Sequence, residues 1–445
     1  MKTNKLFIYI VLFFISANVL HANNDSIYVK NLNDCIKIGL ENNFSLLMVK
    51  NRQQVTENEA TAANAGKLPT VSIVGSYGAD LHTTENQQRA TGDITKNANA
   101  YDDRFSIGLN VDWTIFNGFY FSTNYKQLQL FKEKGELETR LAIEDYLASL
   151  ISEYYNLIQQ NIRLENYRYA MSLSKEKMRI IEVRYSIGSY SRSDYLQAKV
   201  DFNADSTQFV KQKEVVRSCQ IRLNELMANK EVMQPVLTAD STISVNTSLN
   251  YDELWESTKD VNASLLIAHK NVEVVEAEYK KIMSRDYPYV KFSAGYGYSS
   301  NKYQISATQS VRDWGANAGI TVGMTLFDGN RRMQKQNAKL DIDYANLEVE
   351  NLKLNLKATL NDLWQAYVNN LQIVQMENQN LIAATENYEY ANLRYMKGDM
   401  SGFEMREAQK SFLDAEERLL VAEYNTKLCE ISLMMLSGNI LFFVK

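Results

Sequence analysis

The feature that most constrains this chain is that it is built twice. Pro69 and Pro288 each open an alternating run and lie 219 residues apart (288 − 69), and Tyr77-Gly78 recurs as Tyr296-Gly297 at the same offset. Phe116-Asn117-Gly118 returns as Phe327-Asp328-Gly329, 211 residues on (327 − 116). Arg184-Tyr185, Gly188 and Ala198 return as Arg394-Tyr395, Gly398 and Ala408, 210 residues on (394 − 184). Such a period has to be settled before any fold is assigned, because it makes the chain two versions of one unit. The drift in offset places a longer loop in the first copy. The 445 residues therefore divide into a leader (1–22), a first repeat (23–230), a connector (231–250) and a second repeat (251–445).

Each copy carries two stretches of period two. Phe105, Ile107, Leu109, Val111, Trp113 and Ile115 alternate with Ser106, Gly108, Asn110, Asp112 and Thr114, and the second copy repeats the pattern from Ala316 to Leu326. This is a strand with one apolar and one polar face. A strand of about ten residues after Pro69, and another after Pro288, precedes each of these, a length that crosses a tilted bilayer span. Polar loops are expected at Thr83–Asp103 and Asn301–Asp313. Phe105, Trp113, Phe116, Tyr298, Trp314 and Phe327 stand toward strand ends, where an interfacial aromatic girdle belongs. A soluble sandwich with one buried face shows the same alternation. The glycine- and serine-rich polar face, with an export signal, favours the membrane barrel. Four strands cannot close a barrel when about eight is the smallest spanning number, so several chains must contribute to one.

The rest is helical. Asn31–Gly66 and Tyr251–Ser284 have helical spacing and end before an X-Pro step, which disfavours helix. Phe119–Ile187 and Asn330–Lys397 each run nearly seventy residues, roughly 100 Å at 1.5 Å per residue. Each turns at a glycine and returns as a shorter helix, Arg192–Met227 or Ser401–Leu436. Ala148, Ile151, Tyr155, Ile158 and Ile162 form one seam, and Leu147, Leu150, Tyr154, Leu157 and Leu164 a second beside it. Two seams let a helix pack on a neighbour at each side, as in a ring of helices. An exported coiled-coil scaffold that is not a channel fits the same periodicity.

Lys2 and Lys5, an apolar run Leu6–Leu20 and Leu20-His21-Ala22 read as a signal peptide cleaved after Ala22. Its removal takes two of 48 basic residues and none of 53 acids, leaving a net charge of −7 (46 − 53). That sign disfavours nucleic acid as a partner. Cys35, Cys219 and Cys429 are isolated in helical stretches and read as small buried residues, not as a disulfide framework or metal site. His82 and His269, the histidines beyond the leader, have no partners at metal-ligand or triad spacing, so no enzyme, cofactor or metal is expected.

The order of helix, two strands, long helical hairpin and connector, followed by the same again, resembles the TolC family of outer-membrane efflux proteins over essentially the whole mature chain. Leu68-Pro69, Tyr287-Pro288, the two Phe-Asn/Asp-Gly steps and the hairpin tips around Gly188 and Gly398 carry the resemblance. It implies a mainly α homotrimer with a twelve-stranded transmembrane β-barrel, four strands from each chain, continued by an α-helical coiled-coil tunnel in the periplasm of a Gram-negative bacterium. It further implies a passive exit duct in the outer membrane, serving a tripartite efflux pump or type I secretion system through a periplasmic adaptor and an inner-membrane transporter. Carried over by position, Ile187, Gly188 and Ser189 and Lys397, Gly398 and Asp399 become adaptor-contacting tips. Glu404, Glu407 and Tyr395 become a periplasmic gate. Lys397 departs from the apolar residue usual in the family, and Met400 stands where an arginine latch can occur.

Overall fold

The computed structural model describes residues 28–306 and 308–444, and the leader expected at 1–22 lies outside them. The elements in order are β1 (Tyr28–Lys30), α1 (Leu32–Asn42), α2 (Phe44–Glu59), β2 (Thr70–Gln87), β3 (Ile94–Asn117), α3 (Tyr120–Ser186) and α4 (Arg192–Leu226). They continue with β4 (Val236–Thr238), α5 (Tyr251–Val261), α6 (Ala263–Ser284), β5 (Tyr289–Tyr303), β6 (Ser310–Gly323), α7 (Gly329–Lys397) and α8 (Gly402–Leu436), ending in a 3-10 turn at Ile440–Val444. Among the described residues two compact units emerge, one comprising those up to Leu47, Ala142–Lys259 and those from Leu356 onward, the other Met48–Leu141 and the described residues of Asp260–Asn355. Each draws on both sequence repeats.

The second of these units contains an antiparallel sheet ordered β2-β3-β5-β6, both repeats side by side. Its strands are longer than the ten or so residues expected, because the ladder zips through most of the stretch read as a first polar loop. Thr84 pairs Asn97 and Gln87 pairs Ile94, past a bulge at His82, leaving only 88–93 as the turn. Threonine and isoleucine in that stretch suit a pleated backbone despite its polarity. One face carries rows such as Ile73, Leu109 and Tyr296, and the other Ser72, Asn110, Gly295 and Asn317. The apolar face is exposed to solvent, Ile73 by 75% and Ile320 by 68%, and β2 and β6 are edges with no further strand paired to them among the described residues.

At the strand-to-helix step Gly118 adopts φ +56°, and a Cβ there would lie 2.0 Å from the Ser284 carbonyl. Phe119, also at positive φ, sets its ring edge-on to Phe116 and Tyr287 at 5.2 and 5.7 Å. Polar contacts bind the helices of this unit: Gln127 donates to Val274 O and Glu278, and Lys134 to Asn271.

The helices expected as Asn31–Gly66 and Tyr251–Ser284 are each broken in two. Asn43 leaves helical geometry at ψ 119°, and its side chain accepts from the amides of Ser45 and Leu46. Asn262 accepts from Leu265 N in the same way. An asparagine competing with the helix for its own amides is an N-cap, so one helix stops where the next starts. The signal stood in the sequence: Asn43-Phe44-Ser45-Leu46 and Asn262-Ala263-Ser264-Leu265 share the 219 offset.

The first unit holds the main core. Leu147, Leu150, Ile151, Tyr154, Leu157 and Ile158 of α3 are fully buried with residues of α1, α4 and α8. Each such side chain contributes about 2 kcal/mol through burial. Both seams of α3 are thus filled by the chain's own elements, and the apolar surface left over lies elsewhere. On α7, Met333, Leu340, Leu347 and Leu354 repeat every seven residues and are all more than half exposed. β1 pairs β4 in parallel, and the connector is pinned to the core by Asn246 N donating to Glu430 at 3.1 Å and Tyr154 donating to Asp240 at 2.7 Å. Cys35 and Cys219 are buried and Cys429 is partly so, all as free thiols.

Candidate functional site: the two helical tips

Both tips are closed by the same backbone device. Gly188 has φ +81° and Gly398 φ +85°, a left-handed conformation that side chains with a Cβ avoid. Gly188 N donates to Tyr185 O at 3.0 Å and Ser189 N to Arg184 O at 2.9 Å; Gly398 N and Asp399 N repeat this on Tyr395 O and Arg394 O at 3.1 and 3.0 Å. These paired bonds satisfy carbonyls that a helix end otherwise leaves open. Each return helix then starts with a capping box. Ser191 and Asp194 exchange bonds at the start of α4, Ser401 and Glu404 at the start of α8.

All six tip residues, Ile187, Gly188, Ser189, Lys397, Gly398 and Asp399, are exposed. Glu404 and Glu407 are exposed one helical turn apart on α8. Bonds from the Ser401 amide and hydroxyl, at 2.9 and 2.8 Å, hold the Glu404 carboxyl below its ordinary range. Tyr395 does not share their exposure. It is 5% exposed, packed with Tyr388, Ala391, Met405, Ala408 and Phe412, and burial pushes its phenol up to about 12.

The structure adds residues that sequence reading did not single out. Arg406 forms a bidentate pair with Asp205 of α4 at 2.7 and 2.8 Å, with Ser174 of α3 bonded to both. That pairing raises the Arg406 pKa further. Lys177 Nζ donates to Gly402 O at 3.0 Å, and Arg163 makes a forked pair with Glu417. As the α3 partner advances by 14 residues (177 − 163), the α8 partner retreats by 15 (417 − 402), so the two helices run antiparallel in constant register. Partners more than two hundred positions apart leave no local signal. A cleft of about 360 Å³ lies between the tips, lined among others by Ile181, Tyr190, Asp194, Asp201 and Phe403.

Among the described residues no helix is long and apolar enough to cross a membrane, and no group of three or more His, Cys, Asp or Glu is placed to hold a metal ion. The model of the outer membrane efflux protein family matches residues 36–229 and 254–439, one segment per repeat. The chain belongs to that family. The members it resembles are outer membrane efflux proteins, not enzymes. It is 24% identical over 247 residues to Outer membrane protein TolC of Salmonella enteritidis, covering 52% of this chain and 48% of that protein. The chain thus spans about half the length of that relative, and 34% of the Vibrio cholerae TolC that it also matches. Among solved structures, the Campylobacter jejuni CmeC outer membrane channel superposes with TM-score 0.74 at 16% identity, over 92% of this chain and 86% of that one. The open-state Neisseria gonorrhoeae MtrE channel gives TM-score 0.71 at 13% identity, over 92% and 89%. The fold is that of barrel-plus-tunnel outer-membrane channels.

Proposed function

We propose that this protein is a passive exit duct in the outer membrane of a Gram-negative bacterium, assembled from three copies. The observation that carries this is the open sheet. Its apolar face is exposed, its strands exceed a bilayer span, and its edges β2 and β6 are unpaired. Such a face in water is a large exposed patch, whereas in lipid it is matched to its solvent. Three copies joined β6 to β2 give twelve strands and no free edge, which is what a spanning sheet requires. The seven-residue apolar repeat on α7 supplies a seam for the neighbouring copy in the periplasmic tunnel.

In this reading the exposed tips and their cleft meet a periplasmic adaptor that joins the duct to an inner-membrane transporter, in a tripartite efflux pump or a type I secretion system. Glu404 and Glu407, exposed on one turn of α8, present six carboxylates at the periplasmic mouth of a trimer. Such a ring favours cations. Tyr395 supports the gate from behind as packing. The decisive experiment is single-channel recording of the detergent-extracted protein in a planar bilayer, with its oligomer mass measured alongside. A conducting trimer is expected. A chain that stays soluble without detergent and never conducts would overturn the duct in favour of an exported scaffold.

A further inference from the structure

Within the unit that carries the sheet, one contact between the repeats is made inside the chain and its counterpart is not. The first part of α3 lies between two helices. On one side Thr56 of α2 sits so close to Gly135 that a Cβ there would come within 2.7 Å of it, and Lys132 pairs with Glu57 at 2.8 Å. On the other side α6 lies against it. Lys134 donates to Asn271 at 2.8 Å, Lys270 pairs with Glu133 at 2.8 Å, and Gln127 donates to Val274 O and Glu278 at 3.3 and 3.1 Å.

Among the described residues α7 is held on one side only. The 210 offset of the hairpin tips runs along both long helices, and under it Gly135 becomes Ala345, 4% exposed. Asn124, which donates to Ala65 O at 3.5 Å, becomes Gln334, which accepts from Arg285 at 3.1 Å. The step leaving α6 thus holds α7 as the step leaving α2 holds α3. The far side differs. Thr123, Leu130 and Leu137, on the α6 side of α3, are buried or half-buried. Their counterparts Met333, Leu340 and Leu347 are 52%, 64% and 68% exposed, and Tyr344, in the place of Lys134, is 64% exposed.

The sequence supplies a helix of the right kind for that face. At the 219 offset Ile267, Asn271, Val274 and Glu278, on the α3 side of α6, become Met48, Arg52, Val55 and Glu59 of α2. All four are exposed, and their spacing of four, three and four puts them on one face of the helix.

We propose that this face of α2 docks on the open face of α7 in the next copy, repeating between chains the contact that α6 makes on α3 within one. The proposal rests on the three-copy duct and names the surfaces that build it. It runs the same way round as the sheet, where β6 of one copy meets β2 of the next, so helices and strands close on the same neighbour. Such a head-to-tail contact forms a ring when its rotation closes, as twelve strands require. The two contacts differ in chemistry. The one inside the chain is a ladder of charged and amide pairs. The one between chains sets Met48 and Val55 on Met333, Leu340 and Leu347, with Arg52 opposite Tyr344 and beside Asp343. A more apolar seam suits a permanent contact between copies, and an arginine over a tyrosine ring adds to it.

The test is oxidative crosslinking of the intact, detergent-solubilised protein with copper phenanthroline. Val55→Cys with Asn337→Cys puts thiols where Val274 and Gln127 meet inside the chain, and most of the protein should run as a covalent trimer on a non-reducing gel. Val55→Cys with Lys339→Cys, two residues on and so across α7, should not crosslink. Neither should the single variants or the native chain with its three cysteines. Oligomer mass is measured on the same samples before denaturation. A trimer by mass that fails to crosslink through Asn337→Cys, or crosslinks as well through Lys339→Cys, would overturn the docking and leave the duct standing. A monomer by mass would overturn both. A charge exchange gives a second reading. Arg52→Glu should lower the temperature at which trimers dissociate by several degrees, and adding Asp343→Lys should restore it; no loss, or loss without restoration, would likewise overturn the contact.

Discussion

The two hairpin tips have one backbone and two surfaces. Glycine φ, the two closing bonds and the capping box coincide between them. The side chains on that frame differ. Ile187, 71% exposed, stands where the second tip has Lys397, and Tyr185 stacks openly on Tyr195 at 5.7 Å where its counterparts Tyr395 and Met405 are buried in an apolar cluster. Leu196 occupies the position of Arg406, so the bidentate pair that ties the tips together exists once, not twice. The turn is set by a few residues reading their immediate neighbours and is therefore copied with the duplication. The surroundings are set by partners far off in sequence and are free to diverge. If the shared frame serves docking, breaking it at either tip should do the same damage. If the surfaces serve separate tasks, changes to them should not.

The largest effect is expected at the shared frame. Replacing Gly188 or Gly398 with valine forces a β-branched residue into a left-handed conformation that costs roughly 1–2 kcal/mol even for ordinary residues. Nothing lies within 4 Å of a Cβ at either glycine, so the strain is confined to the turn. Export assayed in cells should fall severely for both variants while oligomer mass stays unchanged. Normal export from either would remove that tip from adaptor docking.

Next comes the feature that only one side possesses. Arg406→Ala leaves Asp205, 13% exposed at its side chain, without its bidentate partner and should cost about 2 kcal/mol, below the buried-pair range because Arg406 is itself 29% exposed. The comparison pair is Arg418–Glu377 inside the second hairpin, at 3.0 Å with the arginine half exposed, whose loss should cost under about 0.5 kcal/mol. Urea midpoints of the two variants measured in one detergent decide it. Equal shifts would mean that the tie between hairpins carries no special weight.

A change to charge alone separates the gate from the cap. Glu404→Gln retains a side chain that can close the capping box, so helix content should hold. Together with Glu407→Gln it should reduce cation preference in bilayer recordings and weaken block by multivalent cations. Unchanged selectivity would show that these exposed carboxylates do no more than start and solvate α8.

What could be read ahead of the structure follows the same division. The repeat, the four strands, the turns at Gly188 and Gly398 and the long helices were legible because each rests on periodicity or on a residue whose conformational demand is local. The breaks at Asn43 and Asn262 rested on equally local signals, but the surrounding apolar spacing continued across them and masked the caps. Strand length was underestimated because polarity was taken to mark a loop, whereas ladder pairing needs only compatible backbones. The Arg406–Asp205 tie and the inward turn of Tyr395 had no such signals, and the seven-residue repeat on α7 is periodic in sequence but nothing local marks it as left exposed. The two seams of α3 read only as packing faces for neighbouring helices, because nothing local distinguishes an intramolecular partner from an intermolecular one.

The smallest effect concerns that inward turn. The Tyr395 hydroxyl is buried with no hydrogen-bond partner among the described residues. Removing an unsatisfied buried group is nearly neutral or stabilising, so Tyr395→Phe should change stability at neutral pH by no more than a few tenths of a kcal/mol. The contrast appears in alkali. With the folded phenol at about 12 against about 10 in an unfolded chain, the folded state holds its proton longer. The associated stability is complete below about pH 10 and drains away as pH rises through about 12. Wild type should therefore lose more stability over that interval than Tyr395→Phe. Parallel alkaline profiles for the two proteins would mean that Tyr395 is open to water, and that the two tips differ less than their packing indicates.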